Sequence, residues 1–278
     1  MARILVVGDV IDDIGVLPLE PVTPSSDTRA EIRMTPGGSA ANVAAWLGHL
    51  GADVVFAGRV GADGVDRHLG ALTEAGVEAH LTADDELPTA SLVLTLAPDG
   101  DRTMYVDRAA NAAMTMADVP EVAWFGVDWL HLTGYTFFDP LTRPLALDLA
   151  DEAVRRGVGL SVDPSTLAFL RQVGAADFLA WVASAELLFP NQDEADFLGV
   201  HDDPRAVVTL GPRGARVAGR RHAAHEARVV DTTGAGDAFC AGYLAARAAG
   251  AAAAVESGLA AAATCVAHRG ARRPRQPW

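Results

Sequence analysis

The chain has 278 residues, half of them hydrophobic, with 36 acidic against 22 basic side chains and a formal net charge of −14. The length suits one large domain or two small ones, and the composition is that of a folded protein rather than a disordered one. The acidic balance argues against nucleic acid and against an anionic membrane surface as partners. No lysine occurs, so every basic side chain is arginine. That removes lysine Schiff-base chemistry and any lysine-bearing phosphate loop. Phosphate would have to be held by arginine, metal or backbone N–H groups.

From the N-terminus, Ile4–Val7 is a short apolar run ending in Gly8 and reads as a buried strand. The N-terminal apolar run is too short for a secretory signal. The small-residue stretch Leu244–Ala267 is broken by Arg247 and Glu256, so no span crosses a membrane and the cytoplasm is the expected location. Asn42–Leu50 has helical spacing and stops at Gly51; Val54–Ala57 is a strand; His68–Glu74 is a helix stopped by Gly76. Leu145–Arg156 is a further helix. Trp129–Leu132, Gly159–Val162, Leu187–Phe189 and Val207–Leu210 are further strands. This alternation predicts an α/β fold with a mostly parallel sheet covered on both faces.

Two segments break the rhythm. Thr28–Met34 alternates polar and apolar residues, and Ser91–Leu96 and Arg102–Val106 flank Pro98-Asp99-Gly100-Asp101, a hairpin turn signal. They predict a small antiparallel sheet, serving either as a lid over a site or as an edge extension. Cys240 and Cys265 lie in Ala-rich stretches and read as reduced core residues.

The segment Asp231-Thr232-Thr233-Gly234-Ala235-Gly236-Asp237 precedes a clean helical pattern, Ala238-Phe239-Cys240-Ala241-Gly242-Tyr243. Gly234–Asp237 therefore starts a helix, where free N–H groups and the dipole attract an anion. A carboxylate there, Asp237, either takes a proton from an attacking hydroxyl or caps the helix.

Asp-Thr-Thr-Gly-Ala-Gly-Asp-Ala-Phe resembles the C-terminal signature of the ribokinase-like (PfkB) carbohydrate kinases. Gly37-Gly38-Ser39-Ala40-Ala41-Asn42, with Ala44 to Gly51 after it, resembles their glycine-pair segment, and Gly58–Gly64 follows as in the family. Asn191-Gln192-Asp193-Glu194 is similar to their Asn-x-x-Glu magnesium motif, and Thr209–Ala215 to their nucleotide strand and turn. These motifs cover nearly the whole chain in order.

The resemblance implies one ribokinase-like domain over 1–278, a three-layer fold with a β lid from about 15–35 and 87–108, and a possible homodimer through that lid. It implies transfer of the γ-phosphoryl of MgATP to a sugar hydroxyl, with Asp237 as general base and Gly234, Ala235 and Gly236 as an anion hole. Asn191 and Glu194 would order Mg2+ largely through water, and Asp231 matches a residue tied to a monovalent cation (K+) in some members, or is a turn cap. Asp13, Gly38, Asn42 and Asn111 match substrate contacts, and Thr209, Gly211 and Gly214 ATP contacts. A nucleoside kinase on the same fold and a non-catalytic sugar-binding protein are the alternatives.

Several positions depart from the family pattern. Ser39 stands where ribokinases proper carry a lysine, and Asp163-Pro164-Ser165 replaces the commoner Asp-Pro-Asn. The stretch from Gly214 to Asp231 is short, suggesting a trimmed adenine pocket. Asp12 and Asp13 cannot both face the site, because strand side chains alternate. His222-Ala-Ala-His225-Glu226 lacks metal-site spacing and reads as surface, His131 reads as a core residue, and Arg102 as surface or phosphate contact. Gly8-Asp9-Val10 is not a dinucleotide fingerprint.

Overall fold

The computed structural model describes residues 2–22, 24–96 and 102–273. In chain order the elements are β1 (Arg3–Val7), β2 (Ile11–Pro18), β3 (Ala30–Gly37), α1 (Ser39–His49), β4 (Asp53–Gly61), α2 (Val65–Glu74), β5 (Glu78–Asp84), β6 (Ala90–Leu96), β7 (Arg102–Asp107), α3 (Ala109–Ala112), β8 (Val127–Thr133) and α4 (Gly134–Phe138). There follow α5 (Arg143–Arg156), β9 (Gly159–Asp163), α6 (Leu167–Val173), α7 (Ala175–Trp181), β10 (Leu187–Leu188), α8 (Gln192–Leu198), β11 (Val207–Thr209), β12 (Ala215–Val217), β13 (Arg220–His222), α9 (Ala235–Ala246) and α10 (Ala251–Val266).

The central sheet has six strands in the order β10-β9-β8-β1-β4-β5, and every pairing in it is parallel. β1 shows why the sheet is buried on both faces. Ile4 and Val6 join a core with Trp46 of α1 and Phe239 of α9, while Leu5 and Val7 join a core with Phe137 and Leu149 on the other side. A strand packed this way has no polar face to show, which is the reason it reads as a continuous apolar run. β5, Glu-Ala-His-Leu-Thr-Ala-Asp, went unmarked in the sequence: it is the edge strand, and only its pairing with β4 identifies it.

The chain leaves β1 for β4 on one side and returns to β8 on the other. The C-terminal end of β1 is thus the point where the strand order reverses, and open parallel sheets bind ligands there. β11, β12 and β13 form an antiparallel meander, with β11 bridged in parallel to the strand end at Leu188 and Asn191.

The second sheet runs β3-β2-β6-β7. The β2–β3 and β6–β7 pairings are antiparallel as expected, but the central β2–β6 pairing is parallel. The difference arises because β2 and β6 enter from the same side, β2 just after β1 and β6 after β5. The turn Pro98–Asp101 lies outside the described residues. Register sorts this sheet into two faces. Asp13, Thr35, Leu92 and Val106 share one, towards the site; Ile14, Met34, Val93 and Tyr105 share the other. Ile32, Met34 and Tyr105 on that outer face are 66%, 53% and 62% exposed.

Candidate active site

A cavity of about 770 Å³ opens at the C-terminal ends of β1, β8 and β9, between the two sheets. Its size is that of a small-molecule site. Asp13, Gly38, Asn42, Asn111, Asn191, Glu194, Thr209, Asp231, Gly234, Ala235, Gly236 and Asp237 all line it. The two glycine segments, 200 residues apart in sequence, meet across it.

The first segment builds its floor. Gly38 has φ 97°, and a side chain there would collide with the Asp9 backbone. The close pass lets the buried Asp9 carboxylate cap α1: Ser39 N donates to Oδ2 at 2.7 Å and Ala40 N to Oδ1 at 3.2 Å. Thr133 adds a hydroxyl at 3.3 Å. Asp9 carried no sequence signal as a cap, because the helix it caps begins 30 residues later.

Asp237, in the first turn of α9, faces α1. Its Oδ1 accepts from Ser39 Oγ at 2.7 Å and its Oδ2 from Asn42 Nδ2 at 3.0 Å. Withdrawal from bulk water pushes its carboxyl up to about 8; the nearby Asp163 and Asp9 charges add to that, and the two hydrogen bonds oppose it. The Asn42 amide is engaged at both ends, since Arg272 Nε donates to its Oδ1 at 2.8 Å. Neither Ser39 nor Arg272 carries a sequence signal as a site residue. Ser39 drew notice only as a departure from the family pattern, and Arg272 reaches the site from the far end of the chain.

The loop before α9 is tied down from the C-terminal side. Asp231 Oδ1 accepts from Thr233 N and Oγ1 at 3.0 and 2.7 Å, and its Oδ2 from Gly270 N at 3.0 Å. Gly234 has φ 75°, and a methyl there would lie 2.6 Å from Ala271 Cβ. Ala235 N reaches back to Thr232 O at 3.3 Å. Among the described residues, no side chain caps this helix, and Gly236 and Asp237 in its first turn line the cavity.

At the far end of the cavity, Asn191 and Glu194 form a reciprocal cap at the start of α8: Asn191 N donates to Glu194 Oε2 at 2.9 Å, and Glu194 N to Asn191 Oδ1 at 3.0 Å. The motif therefore has a structural use as a capping box, and it leaves one Glu194 oxygen over. Burial raises the Glu194 carboxyl, and burial plus the Glu194 charge raises Asp163 to about 7. Asp163 Oδ1 accepts from Ser165 N at 2.7 Å, and Cys240 Sγ lies 3.6 Å from its Oδ2. Two buried carboxylates beside one cavity suit a hard cation that keeps much of its water. Among the described residues no cluster of three or more His, Cys, Asp or Glu forms an all-protein cage. Thr209 lines both this cavity and a smaller one beside Gly211, whereas Gly214 (φ 94°) supports the turn under β13 and lines neither.

On the other side, Asp13 faces the cavity and Asp12 faces away, ion-paired to Arg67 at 2.6 Å and bonded to His68 at 3.1 Å. Burial raises the Asp13 carboxyl to about 6, against the lowering pull of Arg272. A Cβ at Gly37 would overlap the Asp13 carboxylate, which is why a glycine precedes Gly38. Asn111 pins the chain leaving β1, accepting from Val10 N at 3.2 Å and donating to Val10 O at 2.9 Å.

The remaining sequence candidates lie elsewhere. His131 is buried against Ser161 Oγ at 2.9 Å, and His225 pairs with Glu256 at the surface. Cys240 and Cys265 are buried free thiols. No described helix is long and apolar enough to cross a membrane.

The sequence model of the pfkB family carbohydrate kinases matches residues 1–278. An ATP-dependent ribose-1-phosphate kinase of Halopiger xanaduensis is 32% identical over 88% of this chain and 84% of its own length. A fructokinase of Klebsiella pneumoniae is 31% identical over 87% and 83%. Among solved structures, a probable sugar kinase from Rhizobium etli is 25% identical, with a TM-score of 0.83 over 99% of this chain and 96% of that one. A putative ribokinase II from E. coli in complex with ATP and Mg2+ is 22% identical, with a TM-score of 0.84 over 98% and 94%.

Proposed function

The chain belongs to the pfkB family of carbohydrate kinases, and from that premise we propose that it transfers the γ-phosphoryl group of MgATP to a hydroxyl of a sugar or sugar derivative, with Asp237 as the general base. Its reaction class is phosphoryl transfer to an alcohol. The observation that carries the residue assignment is the pairing of a held carboxylate, Asp237, with uncapped amides at the start of the same helix.

The acceptor lies between Asp13 and Asp237. Asp13 accepts hydrogen bonds from its hydroxyls, while Gly38 gives the ring room to approach the backbone. Asp237 takes the proton from the reacting hydroxyl, whose oxygen forms the new bond to the γ-phosphorus as the bond to ADP breaks in line. The amides of Gly234–Asp237 bind the charge that builds on the moving phosphoryl oxygens. Thr209 and Gly211 shape the nucleotide side, with Gly214 acting only through the turn behind them. Asn191 and Glu194 would hold Mg2+ largely through water, and the ion would neutralise phosphate charge. A potassium ion against the Asp231 loop would stiffen it; comparing kcat in K+ and in Na+ tests that part.

The second sheet acts as a lid over the acceptor, and the cytoplasm, where ATP is abundant, is the setting this reading implies. The exposed outer face with Ile32, Met34 and Tyr105 supports a homodimer through the lid. Ile32→Glu should then give monomers in light scattering.

A coupled ADP-release screen over sugars, sugar phosphates, sugar acids and nucleosides tests the function. Turnover with ATP on at least one sugar or sugar derivative is expected. Turnover on nucleosides alone would move the assignment to a nucleoside kinase, and sugar binding without ADP release would make the protein a non-catalytic binder.

A further inference from the structure

No basic side chain occurs in Gly8–Asp13, Gly37–Asn42 or Asp231–Asp237, the three segments that bring Asp9, Asp13 and Asp237 together. The cation for that acidic end of the cavity arrives from the C-terminal segment. Arg272 turns its guanidinium beneath the glycine pair, where Nε donates to Asn42 Oδ1 at 2.8 Å and Nη2 to Gly37 O at 3.0 Å. A guanidinium can only donate, so it fixes which way round the Asn42 amide sits. The amide then has to present Nδ2, which donates to Asp237 Oδ2 at 3.0 Å. Arg272 makes no ion pair among the described residues, and its Nη1 is buried without a partner. Its charge therefore acts through space on Asp13, Asp237 and Asp9. The backbone around it is held independently, by Trp46 Nε1 on Ala271 O at 2.9 Å and by Gly270 N on Asp231.

We propose that Arg272 is a positioning residue for phosphoryl transfer: through Asn42 it aims the Asp237 carboxylate at the attacking hydroxyl, and it is the counter-charge that lets Asp9, Asp13 and Asp237 share one cavity. This rests on the reading of Asp237 as the general base. Arg33, Arg108 and Arg269 also line the cavity, Arg108 paired with Asp139, but the cation acting on Asp13 and Asp237 is Arg272. The other titratable groups interacting with Asp237 are Asp163 at the end of β9, Tyr135 of α4, Cys240 of α9 and Cys265 of α10. None of them supplies a positive charge.

The test compares Arg272→Met and Arg272→Lys with the exposed neighbour Arg273→Met. On an acceptor that the unaltered protein phosphorylates, Arg272→Met should lower kcat about tenfold to a hundredfold, the scale of a misaligned reacting group. The KM for ATP should change less than about twofold, because the nucleotide side is untouched. The midpoint of the rising limb of kcat against pH should move up, since a carboxylate losing its cation ionises less readily. Arg272→Lys should restore the midpoint but only part of kcat, because an ammonium cannot reproduce the fork to Asn42 and Gly37. Arg273→Met should match the unaltered protein. Arg272→Met with unchanged kcat and midpoint would overturn the proposal, as would a loss of kcat with no shift in midpoint.

Failure of the kinase reading is separable. If no acceptor is phosphorylated, thermal unfolding against pH still reads Arg272. Asp237, raised to about 8 from an ordinary 3.8, contributes stability that is full below the lower value and is lost as pH rises through the upper one. Arg272→Met should carry that loss on to higher pH and so enlarge it, and adding Asp237→Asn should take most of the extra loss away. The same loss ending at the same pH with and without Arg272 would refute the electrostatic coupling.

Discussion

The starts of α1 and α9 are the same local device put to opposite uses. Each helix begins after a positive-φ glycine, Gly38 and Gly234, and each start lines the cavity. At α1 the first amides are filled by the Asp9 carboxylate, at 2.7 and 3.2 Å. At α9 no side chain caps the helix among the described residues. A filled helix start satisfies orphan donors and steadies the fold, whereas an open one keeps its partial positive charge for an anion that comes and goes. In the proposed reaction this separates a scaffold carboxylate, Asp9, from a working one, Asp237, although both lie at helix starts and both accept from a serine or threonine hydroxyl.

The largest expected effect is on the open side. Asp237→Asn should keep the fold and lower kcat by about 10²–10⁴-fold, the usual cost of removing a general base. Steady-state kinetics beside a thermal melt checks this, and a near-normal kcat would break the contrast with Asp9. The pH profile sharpens it. Because Asp237 must be ionised to accept a proton and is pushed up to about 8, kcat/KM should rise with pH and level off near that value. Below it, the drop should approach about tenfold per pH unit. A flat profile from pH 6 to 9 would deny Asp237 the role.

Next in size is Asp13→Ala. Charge-assisted hydrogen bonds contribute about 1.5–3 kcal/mol each, so the acceptor Kd should rise about tenfold or more. The Kd for a non-hydrolysable ATP analogue should hardly move. Asp12→Ala should instead lower the melting temperature, since it strips Arg67 and His68 of their partner. Calorimetry on both variants decides, and a larger acceptor loss from Asp12→Ala would reverse the assignment. The smallest effect belongs to the closed helix start. Asp9→Ala should cost about 0.5–2 kcal/mol of stability, the range for a lost N-cap, with a smaller fall in kcat than Asp237→Asn. Denaturant unfolding measures the first, and an Asp9→Ala protein as inactive as Asp237→Asn would erase the distinction.

The sequence by itself determined what short-range rules control. An apolar run ending in glycine marked β1, and a further apolar run marked β9; helical spacing and stop signals marked α1 and α2; glycines before an apolar helical pattern marked the start of α9. The same local order carried the family resemblance, and with it Asp237, Asp13 and the Asn191–Glu194 pair. Tertiary structure alone decided the partners of those residues. The register of β2 chose Asp13 over Asp12. The reversal of strand order at β1 set Asp9 under α1, and the chain's return brought Arg272 to Asn42 from 230 residues away. The parallel β2–β6 pairing and edge strand β5 also came from assembly. Periodicity records which way a side chain faces along its own element, but a hydrogen bond between distant segments depends on how sheet order and helix packing close the intervening chain. That closure leaves no local trace in residues such as Asp9, Ser39 or Arg272.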